Sequence, residues 1–86
     1  MNIITHRNFQ RQFQKLSQLD KEKFTKRRDL FLQNPFDPIL KNHALHGKYS
    51  GFRSINITGD IRVIHYPLNE NTVVFFKIGS HSELYE

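Results

Sequence analysis

The sequence predicts an α+β fold: two N-terminal helices in a hairpin, packed on one face of a small, mostly antiparallel sheet of three to four strands. Two observations carry this reading. In the first half, Phe9, Phe13 and Leu16, then Phe24, Leu30 and Phe31, recur at the spacing of a helix face. In the second half, runs rich in Val, Ile, Phe and Tyr fill residues 49–57, 61–66 and 72–78, with glycine, proline and asparagine between them. With 86 residues the chain is read as one domain over 1–86, large enough for one modest core.

Taken in order, residues 2–5 form a short apolar piece that could add an edge strand. The first helix starts near Asn8, with Arg11, Gln12 and Lys15 on the side away from its phenylalanines. Asp20 reads as the N-cap of the second helix, its carboxylate accepting from the free amides of the next turn. That helix runs towards Gln33 and turns Lys21, Lys23, Lys26, Arg27 and Arg28 outward. Asn34-Pro35 ends it, because proline disfavours helical geometry in the residue before it. After a loop come the three strands. Thr58-Gly59-Asp60 is read as a tight turn using a positive φ at Gly59, and residues 67–71 as a looser one. Residues 61–66 and 73–76 are apolar on both faces of the pleat, as expected of central strands.

Charge is unevenly placed. The net charge is +5, and residues 1–43 carry all of it, with nine Lys/Arg against four Asp/Glu; the second half is balanced at four against four. A basic N-terminal half favours a polyanion or an acidic protein partner, and it also serves plain solubility. There is no cysteine, so neither a disulfide nor a thiolate metal site is expected, and a reducing compartment suits the chain. The N-terminal residues are too few and too polar for a signal peptide, and no apolar run approaches a membrane span. The expectation is a cytoplasmic protein with no membrane partner.

The side chains with chemistry to offer are His43, His46, His65, His81, Asp60, Arg53, Arg62, Lys48, Lys77 and Tyr85. A metal site would need His43 and His46 to be joined by distant histidines, without cysteine and without a carboxylate at ligand spacing, so no metal is expected. Acid–base chemistry on RNA fits better. Histidine titrates near neutrality, and arginine or lysine steadies the charge that develops on a phosphate. Without a metal, phosphodiester cleavage is feasible chiefly when the substrate brings its own nucleophile, as the 2′-hydroxyl of RNA does. Residue by residue, a structural reading serves as well: Asp60 caps a turn, Arg62 pairs with Asp60 or Glu83, and His81 ends a strand.

The combination of motifs decides between them. Leu45-x-Gly47 with Gly51-Phe52-Arg53, then Gly59-Asp60-x-Arg62-Val63-Ile64-x-Tyr66, then Gly79-Ser80-His81-Ser82-Glu83-Leu84-Tyr85 resembles the YafQ-like branch of the RelE/ParE toxin superfamily, over essentially the whole chain. The resemblance implies a RelE-like domain and the toxin half of a bacterial type II toxin–antitoxin module. It further implies a metal-independent, ribosome-dependent mRNA endonuclease that needs no cofactor. Its partners would be the ribosome, mRNA and a cognate antitoxin.

By position in the motifs, His81 matches the family's principal catalytic histidine, the general acid for the leaving 5′-oxygen. Asp60 matches a catalytic acidic position, and His43 a histidine in the preceding loop. Arg62 matches the arginine that steadies the scissile phosphate, and Tyr85 the C-terminal aromatic beside the site. Lys48, Arg53, Lys77 and Tyr85 are the candidate RNA contacts. Two positions depart from the pattern. Asn56 stands where some relatives have a further histidine and cannot transfer a proton at neutral pH, so the general base is left between Asp60 and His43. Lys77 stands where some carry arginine, keeping the charge without the bidentate fork. A ParE-like inhibitor of DNA gyrase and a non-catalytic RNA- or ribosome-binding module are the alternatives.

Overall fold

A computed structural model describes residues 1–85. Strand β1 (Asn2–Thr5) leads into helices α1 (Arg7–Gln14) and α2 (Gln18–Gln33). Strands β2 (His43–Ala44), β3 (Arg53–Asn56), β4 (Ile61–Asn69) and β5 (Thr72–Ser80) follow, and then a five-residue helix, α3 (His81–Tyr85). Short 3₁₀ turns at Pro38–Leu40 and Gly47–Tyr49 flank β2. The sheet has five strands in the order β1-β5-β4-β3-β2, rather than the three to four expected. β1 lies parallel to β5, and the other pairs are antiparallel. Strand β2 went uncounted because two residues are too few to show an alternating pattern.

The helix hairpin packs where the sequence places it. Phe9 of α1 and Phe24 and Phe31 of α2 are buried, with Ile55, Val63, Phe75 and Ile78 from the sheet, Ile57 from the β3–β4 turn and Leu40 from the loop. Phe75 is the centre of this layer. It is fully buried, and its ring lies 5.9, 6.1 and 5.5 Å from those of Phe9, Phe24 and Phe31. Edge-on and tilted contacts of this kind add to the area that each ring removes from water.

Strict alternation in β5 would send Val73, Phe75 and Lys77 to the same face, and so would bury Lys77 under the helices. A register shift prevents this. Ile64 pairs with Lys77 and His65 with Phe75, so Phe76 is the extra residue of a β-bulge. Beyond the bulge Ile78 takes the helix side, while Phe76 packs on the opposite face. The Lys77 ammonium lies 5.5 Å from the centres of the Phe76 and Tyr49 rings on that second face. There Tyr49, Ile64 and Leu84 form a second, smaller core with Leu45, Phe52, Phe76 and Tyr85 around it.

Several local expectations are corrected. The α2 N-cap is Ser17, whose hydroxyl accepts from the Asp20 amide at 3.1 Å; Asp20 lies inside the first turn. Gly59 does not use a positive φ, which among the described residues is confined to Gly47, Gly51 and Lys41. The 57–60 turn is held instead by the Thr58 hydroxyl, which accepts from the amides of Asp60 and Ile61. Tyr49 belongs to a 3₁₀ turn, since the positive φ of Gly47 and Gly51 keeps the chain from extending before Arg53. Strand β4 continues through Pro67 to Asn69, leaving Glu70 and Asn71 as the turn. Gln12 is not simply solvated: its side-chain oxygen accepts from the Ile78 amide at 3.0 Å, on the stretch of β5 edge that β1 leaves uncovered.

Candidate functional site

The second face of the sheet gathers most of the candidate residues. Paired residues on neighbouring antiparallel strands project to the same side. His43 pairs with Ser54, Ser54 with Ile64, and Ile64 with Lys77, which makes one row across four strands. Two residues along, Asn56 pairs with Arg62 and Arg62 with Gly79. Strand spacing sets His43 about 10 Å across the sheet from β4, the strand that carries Arg62.

Arg62 is half-buried, and its guanidinium donates to the Asn56 side-chain oxygen at 2.9 Å. Its Nε is buried without a partner among the described residues. Neither of the ion pairs considered for it, with Asp60 or Glu83, forms: the one salt bridge among the described residues joins Arg28 and Asp29. Asn56 therefore positions the arginine.

His81 does not end a strand; it opens α3. Ser80 and Glu83 lock that start reciprocally. The Glu83 carboxylate accepts from the Ser80 amide at 2.8 Å, and the Ser80 hydroxyl accepts from the Glu83 amide at 3.2 Å. The Ser80 amide and hydroxyl together hold the Glu83 carboxyl below its ordinary pKa. Gly79 makes room for the fold-back, since a Cβ there would lie 3.3 Å from the Glu83 carboxylate oxygen. The His81 side chain is exposed, with its ring 4.7 Å from that of Tyr85 one turn on.

At the other end of α3, the buried Tyr49 hydroxyl donates to the Leu84 carbonyl at 3.1 Å and accepts from the Lys77 ammonium at 3.1 Å. Tyr49 thus joins Lys77 to the helix bearing His81 and Tyr85. Sequence reasoning did not single it out. Its signal was an aromatic residue set between two glycines that punctuate the chain. Lys48, exposed beside it, lies over the Tyr49 ring at 5.3 Å.

His43 is exposed, and its Nδ1 lies 2.8 Å from the Lys41 carbonyl. A carbonyl only accepts, so Nδ1 carries the proton and a neutral ring keeps its lone pair on Nε2. Asp60 is exposed at the tip of the β3–β4 turn, and its carboxylate accepts no hydrogen bond among the described residues.

Arg53 is not brought to this face. It pairs in register with His65, its guanidinium donates to Asn42 at 2.8 Å, and it lies over the Phe36 ring at 5.5 Å. Its work is to tie the 34–42 loop to the helix side. His65 is likewise absent from the face: it is buried against Phe31 and Phe75, and burial lowers its pKa to about 4. No group of three or more metal-ligating side chains occurs among the described residues.

The profile of the family described as "Bacterial toxin of type II toxin-antitoxin system, YafQ" matches residues 1–86. The chain belongs to this toxin family. No curated relative matches it. Among solved structures, YafQ from E. coli superposes with a TM-score of 0.81 at 23% identity, covering 99% of this chain and 98% of that one. The E. coli DinJ–YafQ toxin–antitoxin complex matches at 23% identity with a TM-score of 0.77, covering 99% and 97%. A metal-bound toxin from Helicobacter pylori matches at 25% identity with a TM-score of 0.72, covering 99% of each chain. The toxin therefore shares its mixed sheet and helix arrangement with the YafQ fold. No helix among the described residues is long and apolar enough to cross a membrane.

Proposed function

We propose that this toxin is a metal-independent, ribosome-dependent mRNA endonuclease, acting in the cytoplasm and neutralised by a cognate antitoxin. One observation carries the reading: a partly buried arginine, Arg62, held by Asn56 on the same sheet face as Lys77 and next to the strand end that leads into His81. Such a group binds a phosphate and offers it a proton donor. The partner reading is supported by the DinJ–YafQ complex of a similar protein.

The chemistry follows from the side chains. The 2′-hydroxyl of the nucleotide before the cut attacks the adjacent phosphorus, giving up its proton to a general base. Negative charge builds on the non-bridging oxygens, where Arg62 and Lys77 supply fixed positive charge, an effect of order 10²–10³ per donor in comparable sites. His81, as the general acid, protonates the departing 5′-oxygen, and general acid catalysis contributes about 10²–10⁴. The neutral Nε2 of His43 suits the base, since Lys41 occupies Nδ1; the unpaired Asp60 carboxylate is the other acceptor. The products are a 2′,3′-cyclic phosphate and a 5′-hydroxyl. Lys48 and Tyr85 flank the site as RNA contacts, whereas Arg53 does not.

The test uses ribosomes programmed with an mRNA carrying one deoxyribose before the cut. That substitution should block cleavage there, and cleavage of unmodified mRNA should survive a zinc- and copper-selective chelator that spares ribosomal magnesium. Loss on chelation with recovery on adding metal back would replace this reading with a metal-dependent one.

A further inference from the structure

The basic residues of α2 are not only a solvated face. Lys23, Lys26 and Arg27 form one wall of a cleft of about 690 Å³, and Lys41 contributes from the facing loop. The β3–β4 turn, from Asn56 to Gly59, makes the far wall. No acidic side chain lines the cleft, and none of the four cations joins a salt bridge among the described residues. The lining is also apolar in part, through the partly exposed Leu30 and Ile39.

Two contacts join this cleft to the face described above. Asn56 lines it and holds Arg62. Lys41 lines it, and its carbonyl fixes the His43 ring. Lys41 is also the only non-glycine among the described residues with a positive φ, at 49°. Residues other than Gly, Asn and Asp adopt that conformation at a cost, and such positions gather at functional sites.

We infer that the cleft seats the phosphates of single-stranded RNA beside the cut, so that a strand held by Lys26 and Lys41 continues onto Arg62. This rests on the ribonuclease reading. Four unpaired cations match a polyanion. The apolar portion gives unpaired bases and riboses a surface to lie on, which a duplex with its bases stacked inside could not use. Continuity with Arg62 favours RNA over an acidic protein segment.

The test is equilibrium binding of a 2′-O-methyl single strand, which has no nucleophile and stays intact, as salt is varied. Each phosphate neutralised on a single strand contributes about 0.7 to the salt slope. Lys26→Gln with Lys41→Gln should therefore lower the slope by about 1.4 and weaken binding about 25-fold at 0.1 M salt, converging near 1 M. Arg7→Gln with Arg11→Gln removes the same charge from α1, away from the cleft, and should weaken binding far less. Circular dichroism checks that both doubles remain folded.

Equal losses in the two doubles would overturn the inference, leaving only overall charge. So would duplex RNA that binds as tightly through the same lysines, or poly-L-glutamate that binds through them more tightly than RNA. A wild-type protein that binds the strand through Lys26 and Lys41 but never cuts mRNA would retire the ribonuclease reading and keep the cleft. One that cuts, yet binds independently of those lysines, would do the reverse.

Discussion

Mild acid should destabilise this toxin chiefly through His65. The side chain is 3% exposed, its Nδ1 has no partner among the described residues, and Phe31 and Phe75 press on its ring. Burial, opposed in part by a hydrogen bond to the Val63 backbone and aided by the nearby Arg53 charge, lowers the pKa from 6.5 to about 4. Because the folded pKa lies below the unfolded one, the unfolded chain takes the proton first. Stability is then full above about pH 6.5 and falls as pH drops towards 4, where this group's effect levels off. A difference of about 2.5 units at 1.36 kcal/mol each is roughly 3 kcal/mol. That is a large part of the 5–15 kcal/mol that holds an ordinary domain.

The measurement is urea denaturation of the wild type and of His65→Phe from pH 7.5 to 4. Phenylalanine keeps the ring in the same aromatic pocket and cannot be protonated, and other titrating groups cancel in the comparison. The wild type should lose roughly 3 kcal/mol more than the variant across that range. Parallel stability curves for the two proteins would refute a buried neutral His65.

Two further predictions concern the frame around the site. Phe75→Ala should cost about 3–5 kcal/mol, because the helix hairpin and sheet meet on that ring and the hole cannot close easily; thermal or urea denaturation reads it. Ser80→Ala removes the acceptor for the Glu83 amide and should cost about 1 kcal/mol at most, confined to α3. Amide exchange in α3 should therefore quicken and mRNA cleavage fall, while the urea midpoint hardly moves; an unaltered cleavage rate would show that the cap does not orient His81.

The helix hairpin was legible because its phenylalanines repeat at helical spacing and Pro35 marks where α2 must stop. The central strands were legible as apolar runs. What was not legible depends on register. The bulge at Phe76 decides that Lys77 faces Tyr49 and not the core, and no periodicity in the sequence announces it. Arg53 reads as a site residue until its pairing with His65 turns it to the helix side. The start of α3 could have been read, since Ser80-His81-Ser82-Glu83 has the spacing of a reciprocal helix cap. Asp60 and His43 were named by their positions in the motifs, but the tautomer of His43 depends on Lys41, whose left-handed backbone no local pattern foretells.

The most direct test of the ribonuclease mechanism is the mapping of mRNA ends in cells expressing the wild-type toxin or His81→Ala, with the end chemistry determined. His81 is exposed on a capped helix beside Tyr85, so its loss should leave the fold intact. The wild type should produce new ends bearing 2′,3′-cyclic phosphate or 3′-phosphate, and the folded variant should cut at least about 100-fold more slowly. A folded His81→Ala protein that cleaves at the wild-type rate, or wild-type ends bearing a 3′-hydroxyl, would contradict it.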